Sequence, residues 1–193
     1  MTDFLKKIRK QLTAKSSRTA KAATLKFVPS SERVYGLRMP VLNAMAKQYR
    51  AGGFELVESL WKSGAFEEKI LAGKILRLRA KKDPDKTIEL IAKFSKHITD
   101  WAVCDTLGMQ SVKPILKIKQ SAIFSLANQL TESKNLWQRR LALVESYTKE
   151  KSLHPAIHKL LRALESDPEY YVRKAVEWIK RNLRKNSPEN RAP

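Results

Sequence analysis

Apolar residues along this 193-residue chain recur at spacings of three and four, as in Phe4, Leu5, Ile8 and Leu12, in Ile88, Ile91 and Phe94, and in Leu141, Val144 and Tyr147. That period puts them on one stripe of an α-helix. A half-buried strand would need alternation with period two, and no convincing run of that kind occurs, so the chain reads as all-α. The punctuation agrees. Asp83-Pro84 and Asp167-Pro168 each place an N-cap residue before a proline that the first helical turn tolerates, and Pro40, Pro114 and Pro155 read as further helix starts. The pattern predicts helices over about 3–13, 17–27, 40–50, 54–62, 66–81, 84–96, 101–108, 114–130, 136–148, 155–164 and 168–184.

The helices are short and closely linked, and the four tryptophans, Trp61, Trp101, Trp137 and Trp178, recur at a pitch of about forty residues. Helix pairs of that pitch match HEAT-type repeats, in which neighbours bury one another's faces and stack into a solenoid with a concave surface. The length suits one structural unit, expected over 1–185, with 186–193 a flexible tail.

Charge narrows the function classes. There are 39 Lys plus Arg against 19 Asp plus Glu, a net charge of +20. Such an excess repels itself and fits a protein that meets a polyanion. The bases are not confined to a tail: Lys6, Lys7, Arg9 and Lys10 lie near the start, Arg77, Arg79, Lys81 and Lys82 midway, and Arg173, Lys174, Lys180, Arg181, Arg184 and Lys185 near the end. Their recurrence along successive repeats favours phosphate contacts over an ordinary solvated face. No apolar run approaches a membrane span and no signal-peptide core opens the chain, so a soluble, cytoplasmic protein is expected. The single Cys104 excludes an internal disulfide framework and a multi-cysteine zinc site.

The candidate chemistry centres on Trp101-Ala102-Val103-Cys104-Asp105. Asp100 is a good N-cap for a helix opening there, and Trp101, Cys104, Asp105 and Gly108 then share one face. A structural helix would hide the indole and expose the carboxylate, so one stripe holding both suggests a functional site; the alternative is an Asp105 at the stripe's edge that bonds a neighbouring helix. One repeat later comes Trp137-Gln138-Arg139-Arg140, and a further repeat brings Lys174-Ala175-Val176-Glu177-Trp178. Stacking makes such positions neighbours, so Arg140 and Trp178 are expected to approach Asp105, leaving Trp61 and Trp137 mainly structural.

Other signals point to less. His154 and His158 are spaced i, i+4, but Pro155 follows the first, no Glu of an H-E-x-x-H motif lies between them and no third ligand is evident, so no metal is expected. Cys104 is expected in the core, without a base to activate it. The absence of a phosphate-cradling glycine motif argues against a nucleotide cofactor. Tyr170 and Tyr171 suit base stacking, with at least one expected to pack on the preceding helix.

Gly36-Leu37-Arg38-Met39-Pro40, Trp101 with Asp105, Trp137-Gln138-Arg139-Arg140 and Tyr171-Val172-Arg173-Lys174-Ala175-Val176-Glu177-Trp178 together resemble the AlkD-type HEAT-repeat DNA glycosylases, over about residues 3 to 184. The resemblance implies excision of cationic N3- and N7-alkylated purines from duplex DNA by a monomer, without a cofactor and without extruding the base. It also implies that Asp105 is the catalytic carboxylate, that Trp101 and Trp178 lie against the lesion's deoxyribose, and that Arg140 lies near the backbone phosphate. Phe27, Arg38, Lys113, Arg139, Arg173, Lys174 and Arg181 are expected to contact the nucleic acid.

This chain departs from the family pattern at three places. Ala102 stands where a second acidic residue is common, Phe27 where a tyrosine approaches the lesion, and few residues follow Trp178.

The implied chemistry suits these residue types. An alkylated purine is a cation that leaves readily, so breaking its glycosidic bond builds oxocarbenium charge on the sugar. A carboxylate stabilises that charge and can position water, while indole faces attract the same cation. A non-catalytic HEAT-repeat protein that recognises damaged or branched nucleic acid is the alternative.

Overall fold

The structure is a computed structural model that describes residues 2–186 apart from 30 and 32. Among these residues it is all-helical, a helical repeat solenoid. The helices are α1 (Thr2–Ala14), α2 (Arg18–Phe27), α3 (Met39–Tyr49), α4 (Gly53–Lys62), α5 (Phe66–Arg79), α6 (Pro84–Ser95), α7 (Trp101–Val112), α8 (Gln120–Thr131), α9 (Leu136–Leu141), α10 (His154–Leu164) and α11 (Tyr170–Lys185). No described helix is long and apolar enough to cross a membrane.

Local chemistry sets several of these boundaries. Asp83 caps α6 by accepting the Lys86 amide at 2.9 Å, with Pro84 in the first turn as the sequence predicts. Asn135 caps α9 through the Trp137 amide at 2.9 Å, and Ser17 caps α2. From α3 onward the helices alternate between two layers. In one, α3, α5, α7, α9 and α11 pack in succession; α4, α6, α8 and α10 each pack against the helix that follows them. One continuous apolar core runs between the layers, from Ile8 and Leu12 to Val176 and Ile179.

Three predicted boundaries need correction. The segment 114–130 is not one helix: α7 runs on to Val112 instead of ending at 108, and 113–119 form turns before α8. Pro114 sits in those turns, where the Ile115 amide bonds the Val112 carbonyl and the Ile118 amide the Ile115 carbonyl, a three-residue spacing too tight for an α-helix. The segment 136–148 also divides, because α9 ends at Leu141 and a 3-10 turn spans Glu145–Lys149. Ala142, Leu143 and Val144 between them are all buried, which no single helical stripe allows. Finally, α11 starts at Tyr170, so Asp167-Pro168 lies outside it; Asp167 instead accepts the Glu169 amide at 2.9 Å. Asn186, assigned to the tail, caps α11 and donates to the Thr148 hydroxyl at 3.3 Å, while 187–193 fall outside the described residues.

Helix α5 is the hub, packed against α3, α4 and α7, and so buried nearly all round. Its first turn carries two carboxylates, Glu67 and Glu68, each fully buried. Glu67 accepts the backbone amides of Tyr35 (2.9 Å), Gly36 (2.7 Å) and Leu37 (3.1 Å), and Glu68 accepts the Tyr35 hydroxyl and two nitrogens of Arg9. A buried charge is tolerable only with such compensation. Here it fastens the link between α2 and α3 onto the hub. Gly36 is required in that link: its φ is +92°, and a Cβ would lie 2.5 Å from the Ser17 carbonyl oxygen.

Candidate active site

The site grows from the start of α7. Asp100 is almost fully buried, accepts the Val103 amide at 2.8 Å and the Ser31 hydroxyl at 3.2 Å, and so fixes the first turn. Burial pushes its carboxyl above the usual range in spite of those bonds. Cys104 packs inward with its thiol 3.5 Å from the Trp137 carbonyl, and Gly108 leaves the space that Leu141 and Val144 fill. α7 is thereby seated against α9. Asp105, next to Cys104, then faces α9 and α11.

Arg140 reaches Asp105 with two parallel hydrogen bonds, Nε to one carboxylate oxygen at 2.9 Å and Nη2 to the other at 2.8 Å. Its Nη1 donates to the Tyr171 carbonyl at 2.6 Å, so one guanidinium ties together α7, α9 and α11. Burial opposes the Arg140 charge, but the Asp105 bonds and charge outweigh it and its pKa rises. The Asp105 side chain remains 18% exposed against 8% for Arg140. A carboxylate offers about four lone-pair positions, of which the guanidinium uses two. The rest open into a cleft of about 260 Å³ lined by Trp101, Asp105, Arg140, Tyr171, Lys174, Trp178 and Arg181.

Both indoles are half-buried. The Trp101 Nε1 donates to the Phe27 carbonyl at 3.0 Å, which fixes the ring and draws the end of α2 to the site. Phe27 itself is 66% exposed there. Behind the cleft, Trp137 stacks at a tilt on Tyr171 (5.2 Å between centroids), and Tyr171 meets Tyr170 edge-on. Trp61 stacks on Phe94 in the other layer.

The structure thus brings Trp101, Asp105, Arg140 and Trp178 together, with Lys174 and Arg181 on the same cleft. It does not use every expected residue there. Arg140 holds the carboxylate, and the bonds it makes go to Asp105 and the Tyr171 carbonyl. Arg139 pairs with Asp167 at 2.6 and 3.0 Å and also donates to the carbonyls of Ser133 and Lys134. Arg173 is exposed, but its Nη1 donates to the carbonyls of Asp167 and Pro168. Arg38 and Lys113 are exposed at the start of α3 and the end of α7, away from the cleft lining.

Sequence reasoning missed Tyr171 as the carbonyl that braces Arg140, since any residue type supplies that group. It named Arg77 and Lys81 as bases for phosphate but missed that they join Lys47 and Lys74 around a second opening on the same layer, of about 580 Å³. The recurrence of bases along α3 and α5 was the available signal. The Cys104 thiol is pushed far above its usual range, by burial first and the Asp105 charge second, and is no nucleophile. No cluster of potential metal ligands occurs among the described residues.

A family model described as DNA alkylation repair enzyme matches residues 8–192. The chain belongs to that family. No curated protein matches it. Membership makes it an enzyme of alkylation repair with DNA as its substrate.

Proposed function

We propose that the protein is a DNA N-glycosylase that hydrolyses the N-glycosidic bond of cationic N3- and N7-alkylpurines in duplex DNA. The observation that carries this reading is the orientation of Asp105: both oxygens are gripped from behind by Arg140, and their remaining lone pairs open between two indoles. A fixed carboxylate is already in place for the charge that develops on the sugar as the base departs. It can also accept a hydrogen bond from the attacking water. Trp101 and Trp178 add cation–π attraction of about 0.5–2 kcal/mol each. The cationic base needs no acid to leave, which fits a cleft without histidine. Lys174, Arg181 and the Lys47 to Lys81 cluster on the same layer supply phosphate contacts along the duplex.

Incubating purified protein with a duplex containing 7-methylguanine and measuring free base tests the proposal. Release is expected, and duplex affinity is expected to fall steeply with salt because several phosphate contacts are involved. Salt-sensitive binding without release would instead make the protein a non-catalytic reader of damaged DNA.

A further inference from the structure

The opening lined by Lys47, Lys74, Arg77 and Lys81 lies between α3, the second half of α5 and the end of α7, apart from the Asp105 cleft but on the same layer. Its bases follow from the sequence. Lys74, Arg77, Leu78 and Lys81 are spaced i, i+3, i+4 and i+7, so α5 and the 3-10 turn Ala80–Lys82 that prolongs it carry them on one stripe, to which α3 adds Lys47. Like charges at such spacings repel. The negative helix ends offset Lys47 and Arg77, in the last turns of α3 and α5, but not Lys74, which lies ahead of that turn.

No carboxylate lines the opening: its remaining walls are the amides of Asn43 and Gln110 and the apolar Ala46, Leu78 and Pro114. Lys74 Nζ donates to the Asn43 side-chain oxygen at 2.7 Å and Arg77 Nη1 to that of Gln110 at 3.0 Å, both neutral acceptors. In the other layer, by contrast, Lys86 pairs with Glu89, Lys93 with Glu58 and Lys119 with Asp85. Burial, and then the Arg77 charge, push the Lys74 ammonium below its ordinary pKa, so the clustered cations oppose one another. An anion in the opening would relieve that opposition.

Two features narrow the anion. A backbone phosphodiester carries one charge, whereas a phosphate monoester carries about −1.5 to −2 and three strong acceptor oxygens, a better match to four clustered cations. The lining is also partly apolar, with Leu78 43% exposed among the bases. Inside a continuous duplex both faces of each base are covered by stacking. At a gap the last base has one face uncovered, and leucine and proline are side chains that pack on such faces.

We propose that this opening holds the phosphorylated end of a broken DNA strand, the terminal phosphate monoester among Lys47, Lys74, Arg77 and Lys81 and the last base against Leu78 and Pro114. The proposal rests on the duplex-binding part of the glycosylase reading and needs no methylated base.

The test is fluorescence anisotropy of the whole protein with undamaged dumbbell DNA, its ends closed by hairpins and one strand interrupted by a single-nucleotide gap. Gaps carrying a terminal phosphate, on the 5′ or the 3′ side, are compared with a gap ending in hydroxyls. A phosphorylated gap is expected to bind about tenfold tighter than the hydroxyl gap in at least one polarity, the effect of an added charge-assisted hydrogen bond. Arg77→Gln, at an exposed position, should abolish that preference, while Lys10→Gln, which removes the same charge from α1, should preserve it. The preference should also survive millimolar dAMP at matched ionic strength; its erasure would assign the opening to free nucleotides. Equal affinities in both polarities, a preference unchanged by Arg77→Gln, or one erased by dAMP overturns the proposal. Failure to release 7-methylguanine would overturn the glycosylase reading alone and leave this one standing.

Discussion

Arg139 and Arg140 are neighbours on α9, and each grips an aspartate with two parallel hydrogen bonds, yet the two pairs lie in different surroundings. Asp167, in the Arg139 pair, is 5% exposed; it also accepts the Glu169 amide, and its own carbonyl takes Arg173. The Arg139 bonds tie α9 to the turn ahead of α11, and the other two hold that turn against the start of α11. Asp105, in the Arg140 pair, is 18% exposed and keeps its remaining acceptor positions facing a cleft between Trp101 and Trp178. The bond geometry of the two pairs is nearly the same. The two pairs differ in what lies beyond the carboxylate, and on the proposed function that difference makes one pair structural and the other chemical.

The contrast can be broken or sharpened by mutation. The largest effect is expected from Asp105→Asn: the rate of 7-methylguanine release under single-turnover conditions should fall roughly 10²–10³-fold, as when a placed charge-stabilising group is removed. Duplex affinity, followed by fluorescence anisotropy, should change little. Asp167→Asn should cost on the order of 3 kcal/mol in urea unfolding, the result of leaving Arg139 without its charge partner.

That loss should depend on pH. Burial raises the Asp167 carboxyl, but the Arg139 bonds and the Glu169 amide outweigh it and hold it below its ordinary 3.8. A carboxyl depressed by folding stabilises the native state above its unfolded pKa, and the contribution is lost as pH falls. The stability gap between wild type and Asp167→Asn should therefore be full at neutral pH and narrow as pH drops below 3.8.

Smaller effects probe how the cleft is held. Arg140→Lys keeps the charge and loses the two-pronged grip, so release should slow roughly 10–10²-fold, the equivalent of the ~1.5–3 kcal/mol of a charge-assisted bond. Trp101→Phe keeps a ring and loses the bond to the Phe27 carbonyl; about 1 kcal/mol, or roughly fivefold in rate, is expected. Cys104→Ala should stay within about twofold in rate, because a buried thiol with a strongly raised pKa takes no part in the chemistry.

Much of this was legible in the residues. Apolar spacing and the Asp83 cap define helices directly, and the tryptophan pitch brings Trp101, Arg140 and Trp178 around Asp105 because stacked repeats turn distance along the chain into adjacency. The spacing misled where both sides of a segment are buried. Ile115 and Leu116, like Ala142 to Val144, resemble helical stripes in sequence but fill the core from non-helical segments. Glu67 and Glu68 look like ordinary acidic residues of a first helical turn, and only the packing of α5 on three sides shows that they are internal clamps. The two arginines could not be told apart at all. Arg139 finds Asp167 and Arg140 finds Asp105 through the geometry of α9, and the Tyr171 carbonyl that braces Arg140 carries no side-chain signature.

The most direct test is single-turnover release of 7-methylguanine by Asp105→Asn and Asp167→Asn side by side, each normalised to the folded fraction measured by circular dichroism. The account predicts a loss of about 10²-fold or more in the first and a rate within about threefold of wild type in the second. Equal losses in the two variants, or release by Asp105→Asn at the wild-type rate, would contradict it.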